Sequence, residues 1–194
     1  IRGNVDGRIE RVRAGTLDGV LLARAGLLRL GRAEEITEVI PVDTMLPAPG
    51  QGALAVECLR GNTPVRSLLE PLDHRACRLA VHAERSLLAV LDAGCSAPVG
   101  ALAALVEGPR GSVLSLRAVV ASPDGVRVLR REESLPIPRD PPAAEHAAGR
   151  LGRVVARALL DRGAEDLIPR QPGRPPDPLV SVALTTSQAR EGEL

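Results

Sequence analysis

Apolar residues recur along this chain at two different spacings, and the spacing changes mark its elements. Val5, Ile9 and Val12 sit at helical intervals with Arg8, Arg11 and Arg13 on the other faces, so a helix is predicted over Val5–Ala14, stopped by Gly15. The preceding IRGN reads as the end of a strand entering a turn. Gly19–Ala25 (GVLLARA) is a short, nearly continuous apolar run, expected to be a buried parallel strand, and Leu27–Leu30 continues as helix. Together these predict a partial βαβ unit. The Pro- and Gly-rich LPAPGQG of Leu46–Gly52 then forms a connection before a further apolar strand, Ala53–Cys58.

A longer helix is predicted over His74–Asp92, with Cys77, Ala80, Val81, Leu88 and Leu91 on its buried stripe. Glu84 falls within that stripe. A carboxylate there must be paired or neutralised, so Glu84 is expected to be partly buried and held by an arginine. Val99–Glu107, Val113–Ala121 and Val126–Glu133 alternate as strands, and the turn sequences EGPRG and SPDG join them into an antiparallel meander. A helix over Ala143–Asp161 would cover the sheet through Ala147, Leu151, Val154, Val155 and Ala158, with Arg150, Arg153 and Arg157 in water. The fold class expected is α/β plus α+β: a partial βαβ domain followed by a small domain whose three-stranded antiparallel sheet is covered by helices. RQPGRPPDP, beyond Pro169, reads as linker.

Composition narrows the functional classes. The chain has 194 residues and 44% hydrophobic content, enough to bury a core. Its 25 basic and 24 acidic residues leave a net charge of +1, so no global field draws it to nucleic acid or anionic lipid. All the basic residues are arginine, a bias that GC-rich coding DNA explains in part. Phe, Tyr and Trp are absent, which removes base-stacking platforms. No apolar run approaches the roughly 18 to 20 residues of a membrane span, and no signal sequence opens the chain. A cytoplasmic protein is expected. Cys58, Cys77 and Cys95 form no CxxC pair and lack metal spacing with His74, His82 and His146, so no metal site is expected.

Two sets of residues offer chemistry. Cys95, in the Gly-flanked LDAGCSAPVG after the long helix, is expected on a loop where a thiol can react, whereas Cys58 and Cys77 read as buried small hydrophobes. Arg2, Arg8 and Arg29 fall at the ends of the βαβ elements. If they share a cleft, their guanidinium groups suit carboxylates, which they grip through paired hydrogen bonds.

RGNVDGR (2–8), LARAGLLRLG (22–31), MLPAPGQGALAVEC (45–58), AERSLLAVLDAGCSAPVG (83–100) and LRAVVASPDG (116–125) resemble, in order, the porphobilinogen deaminases. That resemblance implies a tetrapyrrole-pathway transferase that condenses porphobilinogen units head to tail with loss of ammonia and releases hydroxymethylbilane. It implies a dipyrromethane cofactor held by a thioether to Cys95, with Arg2, Arg8 and Arg29 binding the acetate and propionate groups of cofactor, substrate and growing polypyrrole chain. The family's catalytic aspartate belongs to an amino-terminal domain outside these residues, so no catalytic residue is assigned and the chain alone is expected to be inactive. By the same resemblance, residues 1–46 match the later part of a second domain, 47–72 the crossing and return to the first, and 73–168 the cofactor-carrying third domain; 169–194 is linker and the start of anything further.

Gly7 replaces a common family Thr, and Arg24 replaces a small or apolar residue. The tail SVALTTSQAREGEL (181–194) resembles the opening of uroporphyrinogen-III synthase, which would imply a fused enzyme. A monomer without nucleic-acid or membrane partners is expected. The alternative reading is a non-catalytic carboxylate-binding module, and Cys95 separates the two, because a binding module has no use for a thiol on such a loop.

Overall fold

The computed structural model describes residues 1–94, 97–109 and 111–169, which divide into two compact units, Ile1–Met45 and the chain from Leu46 onward. In the first unit, helix α1 spans Val5–Arg13. The Asn4 side chain starts it by accepting the Gly7 N–H at 2.9 Å, Arg11 and Arg13 face the negative end of its dipole, and Gly15 (φ +69°) follows its end. Helix α2 covers Arg24–Arg29, and a 3₁₀ turn covers Ala33–Glu35. Ion pairs knit these pieces together. Arg32 bonds Asp6 at 2.8 Å and Glu35 at 2.9 Å, and Arg13 reaches Glu35 at 2.7 Å.

The strands expected at the opening residues, at 19–25 and at 53–58 are not formed among the described residues. An apolar run becomes a strand only by laddering to a neighbour. Here Leu21, Leu54 and Val56 are exposed in unpaired backbone. Cys58, expected to be buried in such a strand, is exposed for the same reason.

The second unit holds the core. After α3 (Thr63–Leu69), helix α4 runs Arg75–Val90, with the His74 side chain accepting the Cys77 N–H at 3.2 Å. Strands β1 (Val99–Gly108), β2 (Gly111–Ala121) and β3 (Val128–Ile137) form an antiparallel sheet in the order β1-β2-β3. The SPDG turn closes β2 onto β3: the Asp124 carboxylate accepts the Val126 N–H at 3.1 Å, and Gly125 takes φ +74°. Helix α5 (Pro141–Leu160) begins at Asp140, whose carboxylate accepts the Ala143 N–H at 3.0 Å, with prolines at its first two positions.

The register pairs Val99 with Val120, Ala101 with Ala118, Ala103 with Leu116 and Leu105 with Leu114, so these residues share one face. Both long helices cover that face. Leu79, Ala83, Leu87 and Leu91 come from α4 and its end, and Ala144, Ala148, Leu151, Val155, Ala156 and Leu159 from α5. Without aromatic side chains, the space is closed by bringing the helices together at glycine: a Cβ on Gly152 would stand 2.2 Å from the Ala83 carbonyl oxygen.

Three helix-face expectations shift. The buried stripe of α4 runs through Leu79, Ala83, Glu84 and Leu87, and Cys77 is exposed in the first turn. On α5, Val154 is exposed while Ala148, Gly152 and Leu159 are buried. In each case several rows of apolar or small residues satisfy a helical period, and docking against the other helix and the sheet selects the row that is covered.

Candidate functional site

Arg2, Arg8 and Arg29 all lie in the first unit. Arg2 precedes α1 and is exposed; Arg8 lies in the second turn of α1, its Nε donating to the Gly3 carbonyl at 3.0 Å, which leaves its terminal nitrogens available. Gly3 has φ +118°, a left-handed geometry suited to glycine, so the RGN segment turns back over the side chain of Arg8. Arg29 is the last residue of α2 and is exposed. Arg13 and Arg32 are held in ion pairs, whereas Arg2, Arg8 and Arg29 pair with no carboxylate among the described residues. Permanently charged guanidinium groups left unpaired are suited to an anionic ligand.

The two departures have structural consequences. Gly7 supplies the N–H that caps α1, and a Cβ there would meet the Asn4 carboxamide oxygen at 3.1 Å. Arg24 opens α2 and is exposed.

Cys95 lies outside the described residues, as does the 181–194 tail. After α4 the chain turns through Asp92, which adopts φ +48°, and the Ala97 N–H donates to the Gly94 carbonyl at 3.0 Å before β1 begins.

Glu84 is buried as expected, at 5% exposure, but among the described residues its partners are backbone groups and not an arginine. Its two carboxylate oxygens accept backbone N–H groups, Gly50 at 2.6 Å and Ala103 at 2.7 Å. Burial pushes this carboxyl above the ordinary glutamate range, and the two N–H groups pull the other way. Sequence reasoning sought a charged side chain as partner and missed backbone donors, which leave no mark on residue identity. The nearest signal was the Gly-rich PGQG, since Gly50 takes φ +76°.

Residues 1–67 match the model described as porphobilinogen deaminase, dipyromethane cofactor binding domain, and residues 78–161 match that of the porphobilinogen deaminase C-terminal domain. The chain belongs to the porphobilinogen deaminase family. It is 52% identical over 169 residues to porphobilinogen deaminase 1 of Streptomyces avermitilis, covering 87% of this chain and 51% of that protein. It is 47% identical over 197 residues to porphobilinogen deaminase of Nocardia farcinica, covering 99% of this chain and 51% of the relative. With that of Mycobacteroides abscessus it shares 51% over 175 residues, 88% of this chain and 55% of the relative. The chain thus spans about half the length of these curated relatives.

The family's dipyrromethane carries acetate and propionate groups, and the donor set of the first unit fits such a polycarboxylate. Arg2, Arg8 and Arg29 fall inside the stretch matched by the cofactor-binding model and pair with no carboxylate among the described residues. Among the described residues, no helix is long and apolar enough to cross a membrane.

Proposed function

We propose that this chain supplies the carboxy-terminal half of a porphobilinogen deaminase, which condenses four porphobilinogen units into hydroxymethylbilane and releases ammonia. The observation that carries this reading is the set of unpaired arginines within the cofactor-binding match. Arg2, Arg8 and Arg29 bind carboxylates of cofactor and substrate, and Cys95 holds the dipyrromethane by a thioether. When bound, that group supplies the covalent primer on which the product is built. The arginines orient it and each incoming ring without proton transfer, because a guanidinium keeps its charge when carboxylates crowd it. The reading places the enzyme in the cytoplasm as a monomer with small-molecule partners only, in keeping with a net charge of +1.

The test is intact mass together with colour from an aldehyde reagent for pyrroles. Full-length enzyme should carry the covalent cofactor and turn over porphobilinogen, and Cys95→Ala should carry none. Arg29→Ala should weaken substrate binding roughly ten- to a hundredfold, the cost of charge-assisted hydrogen bonds. The 194-residue chain alone should make no hydroxymethylbilane. Normal cofactor loading on Cys95→Ala would overturn the assignment. Carboxylate binding by a full-length protein with no covalent pyrrole would favour the non-catalytic module.

A further inference from the structure

The three-stranded sheet has two edges, and the sequence protects them differently. Strand β3 carries Arg130, Arg131, Glu132 and Glu133 in a row and Pro136 near its end, charges and a missing donor that discourage pairing with another strand. Strand β1 has no such row and no proline, and its one charge, Glu107, stands at its far end. From Val99 to Val106 it reads VGALAALV, uncharged and apolar, the composition that pairs with foreign strands when its edge is open.

That edge is occupied by the segment Leu46–Gly52. The Ala101 N–H donates to the Pro47 carbonyl at 2.9 Å, and a Cβ on Gly100 would stand 3.0 Å from the Leu46 carbonyl oxygen, so this backbone lies directly against β1. Two residues along β1 from Ala101, the next outward donor, Ala103, is taken by Glu84, whose other oxygen takes the Gly50 N–H. One carboxylate thus closes the β1 edge and holds the far end of the segment.

We propose that Leu46–Gly52 is an edge strap, fastened by Glu84, that keeps β1 from pairing with a second copy of this chain. The choice of residue supports it. Buried ionised glutamate is costly, and burial is the main influence on this carboxyl, so an apolar residue or an amide would spare that cost. Only a carboxylate offers two acceptors and no donor to two N–H groups on separate segments; glutamine would turn an NH₂ toward one of them. The strap does not rest on the activity proposed above, and its test reads no turnover.

The experiment is amide hydrogen exchange combined with light scattering on the 194-residue chain. In the unaltered chain, Gly50 and Ala103 should exchange at least about tenfold more slowly, relative to intrinsic rates, than Gly52, whose N–H has no partner among the described residues. Glu84→Ala should speed exchange at Gly50 and Ala103 roughly ten- to a hundredfold and produce concentration-dependent association beyond that of the unaltered chain. Adding Ala104→Lys, a charge on the exposed face of β1, should reverse the association and leave the exchange fast. General unfolding would not be rescued by a surface lysine. Equal exchange at Gly50 and Gly52 in the unaltered chain would overturn the strap whether or not the variant folds. So would fast exchange in Glu84→Ala without association, or association that Ala104→Lys leaves intact.

Discussion

Two glycines three residues apart on α5 differ in what they permit. A Cβ at Gly152 would lie 2.2 Å from the Ala83 carbonyl oxygen and 2.9 Å from the Leu87 nitrogen, both backbone of α4, so the helices would have to part. Gly152→Ala should destabilise the fold by about 1–3 kcal/mol, measured by denaturant unfolding. At Gly149 the nearest atoms are the ends of the His82 and Arg153 side chains, which can move, and the gain in helix propensity offsets the displacement. Gly149→Ala should stay within about 1 kcal/mol of the parent. Glu84 sets a pH dependence with a definite sign. Its folded carboxyl takes up protons more readily than the unfolded one, near 4.5, so its contribution is fully present below that value and is lost as pH rises through the higher folded value. Glu84→Gln should flatten this part of the stability profile. His82 acts in the opposite sense: burial, chiefly, lowers it from 6.5, so its contribution is present above 6.5 and lost as pH falls through the folded value. An NMR titration should place the His82 midpoint below 6.5.

The helices show what local sequence can specify. Asn4, His74 and Asp140 each bond the N–H three residues on, and each stands where the apolar period begins. Asp140→Ala removes such a bond from the longest helix and should cost about 1 kcal/mol in thermal or denaturant unfolding. The meander was legible for the same reason, since its alternation and its SPDG turn are local features. The strands read at 19–25 and 53–58 were not, because a strand is defined by a partner that no short window contains. Likewise the arginine expected beside Glu84 followed from a sound rule about buried charge, and the rule was met by Gly50 and Ala103 instead.

Across the whole chain, stability is distributed unevenly. The apolar cluster extends from Leu79 to Ile168, whereas the first unit buries only Ile9 and Leu27 among its large hydrophobic side chains. Leu54 and Leu59, at 87% and 80% exposure, add nothing to either. Limited proteolysis of the chain should therefore cut within residues 1–72 first and leave a resistant product of about residues 75–168, identified by mass. The sequence by itself determined helices α1, α4 and α5, the meander and the family, because caps, periods, turns and motif strings are properties of neighbouring residues. It also singled out Arg2, Arg8, Arg29 and Cys95, the last only through the resemblance and its Gly-flanked setting. Tertiary structure alone decided which row of α4 and α5 is buried, which arginines are spent in ion pairs, and what satisfies Glu84. Those outcomes depend on groups far apart in sequence meeting in space, and backbone N–H groups are present at nearly every position, so no residue type announces which of them will be used.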